Sequence, residues 1–260
     1  MRNPAAKMSK ALRLARVARW RAALRHGVAA TIEHDALARL DPAPRTVVDI
    51  GANRGQFAVF AAELFPEATI HAFEPLAEPA DRFARVFRGE SRVHLHRAAL
   101  GPESGRAAIH VSARADSSSL LPITERQTAV FPGTQEVATQ EIAVATLGDH
   151  LRAEDLRAPA LLKIDVQGFE RQAIEGCGAL LDAFDHVYIE CSFVELYAGQ
   201  ALADEIVGLL RGRGFALAGI HNPTFGKDGE AIQADFLFRR AAARAPSLSV
   251  VGAEAVRTAP

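Results

Sequence analysis

The residues of this chain that could do chemistry sit in a few short stretches, and DIGANRGQF at 49–57 carries the most. The pattern describes a strand that ends in Asp49, turns on Gly51 and opens a helix near Gly55. Glycine at both places lets backbone approach a ligand closely, and free N–H groups at a helix start favour a carboxylate or a phosphate. The glycines are spaced GxxxG, with an acid two residues before the first, and do not form the GxGxxG of a dinucleotide fingerprint. That arrangement suits S-adenosylmethionine (SAM), whose methionine end offers an ammonium to Asp49 and a carboxylate to the helix start. Glu74 follows 23 positions after Gly51, at the end of the next predicted strand. An acid there can accept two hydrogen bonds from a ribose diol.

LLKIDVQGFE at 161–170 is the second such stretch. Strand alternation puts Leu161, Lys163 and Asp165 on one side and Leu162, Ile164 and Val166 on the other. A Lys and an Asp in so apolar a strand are costly to bury unpaired. They are expected to point into the crevice at the carboxyl ends of the strands, with an internal ion pair as the plain alternative. Glu190 holds the comparable place on the next strand.

Strands and helices alternate around these motifs, which is the signature of a parallel sheet. Strands are predicted at 46–52, 68–75, 93–100, 160–166 and 186–193, with helices at 55–65, 78–89, 169–183 and 201–213. A closing strand pair falls at 215–221 and 233–240. The regularity breaks over 101–145, which holds a predicted hairpin around RAAIHVSA, the serines 117–119 and an alternating strand EVATQEIAV. An insertion of this length usually carries function. Ahead of the sheet, residues 8–26 read as a helix with Leu12, Val17, Trp20 and Leu24 along one side, followed by a second helix at 31–40. The chain thus divides into a basic helical extension (1–44), one α/β domain (45–240) and a tail expected to be disordered (241–260).

In order and spacing, DIGANRGQF, AFEP, AALG (98–101), SSSLL (117–121), LLKIDVQGFE, YIECSF with ELY, and QADFLF resemble the FkbM-type SAM-dependent methyltransferases, over about residues 45–240. The resemblance implies a class I methyltransferase fold, a Rossmann-like sheet with helices on both faces and an antiparallel C-terminal strand. It also implies O-methylation of a sugar, a glycan or a secondary-metabolite hydroxyl. By that likeness Asp49, Gly51, Asn53, Gly55 and Glu74 are SAM contacts. Ala52, Phe57, Pro75, Ala99 and Ser118, inside or beside the same motifs, count with them as cofactor-binding positions. The serine run and Asp165 belong near the reacting centre. Methylating an aliphatic hydroxyl requires a base within hydrogen-bond reach. The candidates are Asp165 first, then Glu190, with His221 and His150 behind. Asp165 and Glu190 would also be the pair to hold Mg²⁺, but two carboxylates without a third ligand make a poor site, and no metal is expected.

Composition narrows the alternatives. The 260 residues, 49% of them hydrophobic, suit one large α/β domain, and a net charge of −1 gives no electrostatic reason to seek nucleic acid. Charge is uneven, however. Residues 1–26 carry eight basic side chains and no acid, leaving 22 basic against 31 acidic in the remainder. A basic helix of that kind could touch anionic lipid or a partner. No apolar run is long enough to span a bilayer, no secretory signal is visible, and the two cysteines form no CxxC pair, so a cytoplasmic protein is expected. An NAD-linked oxidoreductase would also use Glu74 but lacks GxGxxG, and neither Tyr188 nor Tyr197 has a Lys four residues later. A phosphate-binding GxxxxGK[ST] loop is missing, which disfavours an ATP- or GTP-using enzyme. A degenerate SAM-fold protein that binds without catalysing is the remaining alternative.

Overall fold

The structure, a computed structural model, describes residues 12–241. Seven strands form one sheet in the order β3-β2-β1-β7-β8-β10-β9: β1 (Thr46–Ile50), β2 (Thr69–Phe73), β3 (Val93–His96), β7 (Ala160–Ile164), β8 (His186–Ser192), β9 (Phe215–Phe225) and β10 (Ala231–Arg240). The first five are mutually parallel, while β10 runs antiparallel to both β8 and β9. All five residues of β1 and of β7 are buried, as expected for near-continuous apolar strands covered on both faces. β1 and β7 are neighbours although the chain proceeds from β1 to β2. The order therefore reverses between β1 and β7, which is where open sheets of this class bind ligands.

Alternation along the strands sends side chains into two cores. Val48, Ile50, Leu162, Ile164 and Ile189 meet Ile174 of α5 (Glu170–Gly176) and Ile206 and Leu210 of α6 (Ala203–Gly212). Val47, Leu161 and Tyr188 meet Phe57–Ala62 of α2 (Gln56–Leu64), Phe83 of α3 (Ala77–Val86) and Trp20 of α1 (Ala18–Leu24). Helices thus cover both faces, and the fold is the Rossmann-like α/β sheet expected.

Several local expectations are corrected. The N-terminal helix breaks at Val17 (φ −93°, ψ 124°), and its buried side carries Leu14, Trp20 and Ala23, while Leu12 and Leu24 are exposed. The part of the expected helix at 8–11 and the tail at 242–260 lie outside the described residues. Arg13 and Arg19 pair with Asp35 (2.7 Å) and Glu90 (2.8 Å), so part of the basic face is engaged by the body. The segment expected as a second helix is a 3₁₀ stretch, Ile32–Arg39, kinked at His34. The predicted strand 93–100 splits: β3 stays in the large sheet, whereas β4 (Ala99–Leu100) joins a three-stranded sheet, β4-β6-β5. RAAIHVSA is no hairpin, because it holds no turn residues of its own. It forms β5 (Gly105–Ser112), whose antiparallel partner is the distant β6 (Glu136–Ala145). The serine run and a short α4 (Glu125–Val130) lie between them. The helix expected over 169–183 stops at Gly176 and continues as a 3₁₀ turn around left-handed Gly178 (φ 55°). Cys177 and Cys191 are buried free thiols, and burial pushes Cys177 up to about 12. Among the described residues no helix is long and apolar enough to cross a membrane.

Candidate active site

A cavity of about 430 Å³ opens at the carboxyl ends of β1, β2, β7 and β8. Its wall takes Ile50–Asn53 after β1, Phe73–Leu76 after β2, Asp165–Gln167 after β7, Glu190 from β8 and residues 114–120 from the insertion. Of the predicted cofactor positions, Gly51, Ala52, Asn53, Phe57, Glu74, Pro75, Ala99 and Ser118 line it, as do Asp165 and Glu190. Asp49, Gly55, His150 and His221 do not.

The glycines of the first motif answer to the protein itself. A Cβ on Gly51 (φ 83°) would lie 1.9 Å from the Asp165 carbonyl oxygen, so glycine is what lets β1 and β7 turn outward side by side. A Cβ on Gly55 (φ 93°) would meet the Phe83 ring at 2.9 Å. The N–H groups of the turn are also engaged internally: Gly51 and Ala52 donate to the Phe73 carbonyl, Asn53 to Glu74, Arg54 to the Asn53 side chain and Gly55 to the Ala52 carbonyl. Gln56 and Phe57, which line the cavity, are the first residues of α2, whose N–H groups an α-helix cannot satisfy itself.

Asp49 is fully buried beneath the cavity, directly across the β1–β7 pairing from Lys163. The Lys163 ammonium stands 3.4 Å from Asp49 Oδ1 and 3.4 Å from Asp165 Oδ2. Neither Asp49 oxygen forms a hydrogen bond, so the contact is an ion pair without good donor geometry. Burial raises the Asp49 carboxyl against the pull of Lys163. Burial likewise opposes the Lys163 charge, but Asp165, Asp49, Asp235 and Glu190 around it prevail and raise its pKa, so the ammonium stays charged. Asp49 is therefore the counter-ion of Lys163 and not a cavity wall residue, while Lys163 itself both lines the cavity, as expected, and forms the internal ion pair weighed as the alternative.

Glu74 is 5% exposed and stands one residue past β2. Its Oε2 accepts the Asn53 N–H (2.9 Å) and its Oε1 the Leu76 N–H (2.8 Å), which aims the carboxylate and leaves each oxygen a further lone pair. Burial pushes its pKa up to about 7, against those two hydrogen bonds.

Gln167, unremarked in the sequence, ties the acidic end of the cavity together. Its Nε2 donates to Asp165 Oδ1 (2.7 Å) and Glu190 Oε2 (3.2 Å), and its Oε1 accepts the Tyr197 hydroxyl (2.8 Å). The turn holding it is fixed by Glu170, whose Oε1 accepts the N–H groups of Val166 and Gly168, while a Cβ on Gly168 (φ 97°) would meet the Tyr197 side chain at 2.8 Å. The Tyr197 hydroxyl also lies 3.1 Å from the Ser117 carbonyl, which shares its single hydrogen with Gln167 and brings ELY against the serine run. Glu190 accepts a second amide, from Gln233, and burial together with Asp165, Asp235 and Glu170 raises its pKa well above the ordinary range. Asn53 (φ 48°), Gln167 (φ 55°) and Asn222 (φ 50°) are the non-glycine residues with left-handed backbone among those described, and all three line this cavity. Strain concentrated in this way is typical of functional sites.

The two histidine candidates lie elsewhere. His150 packs edge-on to Phe73 (5.4 Å) and His96 (4.9 Å), and His221 sits on β9 opposite Asp235. Sequence reading missed His34, Asn222, Gln233 and Asp235, which also line the cavity. Only Asp235, an acid inside the closing strand QADFLF, left a visible signal. Among the described residues no three His, Cys, Asp or Glu side chains stand together as a metal site, and the Gln167 amide occupies the place between Asp165 and Glu190.

Residues 49–217 match the methyltransferase FkbM domain family. The chain is 29% identical over 202 residues to the 31-O-demethyl-FK506 methyltransferase FkbM of Streptomyces tacrolimicus, covering 69% of this chain and 75% of that protein. It is 30% identical over 175 residues to the 2-O-methyltransferase NoeI of Sinorhizobium fredii, covering 63% and 70%. Among solved structures, Streptococcus pneumoniae Sp1610, crystallised with S-adenosyl-L-methionine, superposes with a TM-score of 0.49 at 8% identity, over 84% of this chain and 76% of that one.

Proposed function

The chain belongs to the FkbM methyltransferase family, and from that premise we propose that it transfers the methyl group of SAM to a hydroxyl oxygen of a sugar, a glycan or another small hydroxylated metabolite. The observation that carries the reading is Glu74: a buried carboxylate facing the cavity, already oriented by two backbone N–H groups and with lone pairs to spare. No cation pairs with it among the described residues, and its raised pKa marks it as a carboxylate that gains from neutral donors. A ribose diol offers two of them. Oxygen as the acceptor atom is supported by the two relatives, whose names state O-methylation.

Bound SAM supplies an already activated methyl on a sulfonium sulfur. What remains for the protein is to align, to exclude water and to accept one proton. In this reading Glu74 holds the ribose, and Gly51, Ala52, Asn53, Phe57, Pro75, Ala99 and Ser118 shape the cofactor's share of the cavity. The N–H groups of Gln56 and Phe57 receive its carboxylate. Asp165 and Glu190, locked by Gln167 and Gln233, orient acceptor hydroxyls through their remaining lone pairs. The methyltransferase domain spans 45–240 on this proposal, and the segment before it adds part of the cavity wall.

Calorimetric titration with S-adenosylhomocysteine (SAH), with NAD⁺ in parallel, tests the cofactor. Micromolar binding of SAH alone is expected, and binding of NAD⁺ in its place, or no SAH binding, overturns the reading. SAH release from SAM in the presence of methyl hexopyranosides then tests the acceptor class.

A further inference from the structure

His34 reaches the cavity from outside the matched family domain, as does Asp235 from the other end of the chain. His34 is the kink of its 3₁₀ stretch (φ −85°, ψ 22°), in a sparsely allowed backbone region where active-site residues are often found. Its ring stands edge-on to Phe57 (5.5 Å), Phe60 (6.2 Å) and Tyr188 (5.4 Å), which fix its plane. His34 Nδ1 lies 3.1 Å from the Tyr188 hydroxyl and 3.4 Å from Asp235 Oδ2.

Proton bookkeeping around Asp235 sets the tautomer. Asp235 Oδ2 accepts the Tyr188 hydroxyl (3.0 Å) and the Asn222 amide (2.7 Å). Burial raises its carboxyl, but the donors His34, Asn222 and Tyr188 outweigh it and hold Asp235 below the usual carboxylate range, hence ionised. With its hydrogen committed to Asp235, the Tyr188 oxygen can only accept from Nδ1. Both neighbours of Nδ1 are therefore acceptors, so a neutral imidazole carries its proton there and its lone pair on Nε2. The contacts of the His34 ring with Tyr188 and Asp235 are both made through Nδ1.

The carboxylates nearby are less free. Both Asp165 oxygens are engaged, by Gln167 and Lys163, and both Glu190 oxygens by Gln167 and Gln233. We propose that His34 is the catalytic base of methyl transfer, and that Asp235, Tyr188 and Asn222 are positioning residues that hold its ring and tautomer. The proposal rests on the methyltransferase reading above. The acceptor O–H bond breaks and its proton passes to Nε2, while the oxygen's electron pair forms the bond to the methyl carbon. The C–S bond breaks with its pair retained on sulfur. The products are a methyl ether, the thioether SAH and an imidazolium stabilised by Asp235, which then gives its proton to water.

Two readouts on the full chain test this. In the first, long-range ¹H–¹⁵N spectra of ¹⁵N-histidine-labelled protein with SAH, assigned through His34→Gln, should show His34 protonated on Nδ1 and bare on Nε2 in mildly alkaline buffer. Asp235→Leu should lose that preference. In the second, SAH release with methyl hexopyranosides should show kcat reduced by about 10²–10⁴ in His34→Gln, with SAH affinity and glycoside KM changed less than about threefold. An Nε2-protonated His34 in the wild type, or a His34→Gln kcat within about threefold of wild type, overturns the proposal. Wild-type protein that binds SAH but methylates none of the glycosides refutes the acceptor class instead. The tautomer then decides the dyad: Nδ1 protonation lost in Asp235→Leu supports it, and Nε2 protonation overturns it.

Discussion

Titration of Glu74 should make cofactor binding proton-linked. Burial holds the carboxyl at about 7 in the ligand-free protein, against an ordinary value of 4.5. At pH 6 about nine in ten molecules are thus protonated there, and at pH 8 about one in ten. Two ribose hydroxyls donating to the carboxylate favour its ionised form and draw the pKa back down. SAH binding should therefore release about 0.9 proton at pH 6, and its Kd should be about tenfold weaker at pH 6 than at pH 8, or about 1.4 kcal/mol. Calorimetry in buffers of different ionisation heat reads both quantities. Glu170, also raised to about 7, titrates in the same range, so Glu74→Gln is the assigning control and should remove the linkage. The same shift acts on stability. A raised carboxyl contributes stability that is complete below pH 4.5 and lost as pH rises through 7. Between pH 4 and 8 ligand-free wild type should therefore lose about 3 kcal/mol more stability than Glu74→Gln, which has no carboxyl to titrate there. A wild-type Kd that is flat between pH 6 and 8, with no proton released, refutes the placement of a diol on Glu74.

Three further outcomes follow from the geometry. Gly51→Ala, with its Cβ 1.9 Å from a backbone carbonyl at φ 83°, should lose about 2–6 kcal/mol in urea unfolding, and a loss under about 0.5 kcal/mol contradicts the close β1–β7 approach. Lys163→Met should cost about 3–5 kcal/mol because Asp49 is left as an unpaired buried charge. Adding Asp49→Asn should recover part of that loss, and no recovery would mean the pair is not coupled. His71 and His96 are held down at about 4 by burial and neighbouring histidines. Neutral histidines of this kind contribute stability that is full above pH 6.5 and lost as pH falls towards 4. The wild-type Tm should fall across that window and His71→Leu should flatten the fall, whereas parallel profiles would acquit the cluster.

The sheet was legible because its information is local. TVVDI and ALLKI are apolar runs of strand length bounded by turn residues, and each maps onto a strand within a residue or two. Glu74, Asp165 and Glu190 could be placed at one rim because parallel strands bring their carboxyl ends to the same edge. Elements failed where partner choice overrode pattern. Residues 93–100 read as one strand but serve two sheets, and β5 found its partner across a long excursion that no periodicity announces.

The α/β alternation, the rim that holds the candidate site and the family could all be read from residue order alone. Those follow from periodicity and motif spacing, which are properties of neighbouring residues. What each charge does became visible in the folded chain. Asp49 faces Lys163 across a strand pairing and is therefore a buried counter-ion, while Glu74, held by two backbone N–H groups, keeps lone pairs for the cavity. His34 and Asp235, 201 positions apart, meet because an N-terminal 3₁₀ turn and the closing strand pack against the same Tyr188. Ionisation and tautomer depend on desolvation and on the few atoms within about 3–4 Å, and that environment exists only once the chain has folded.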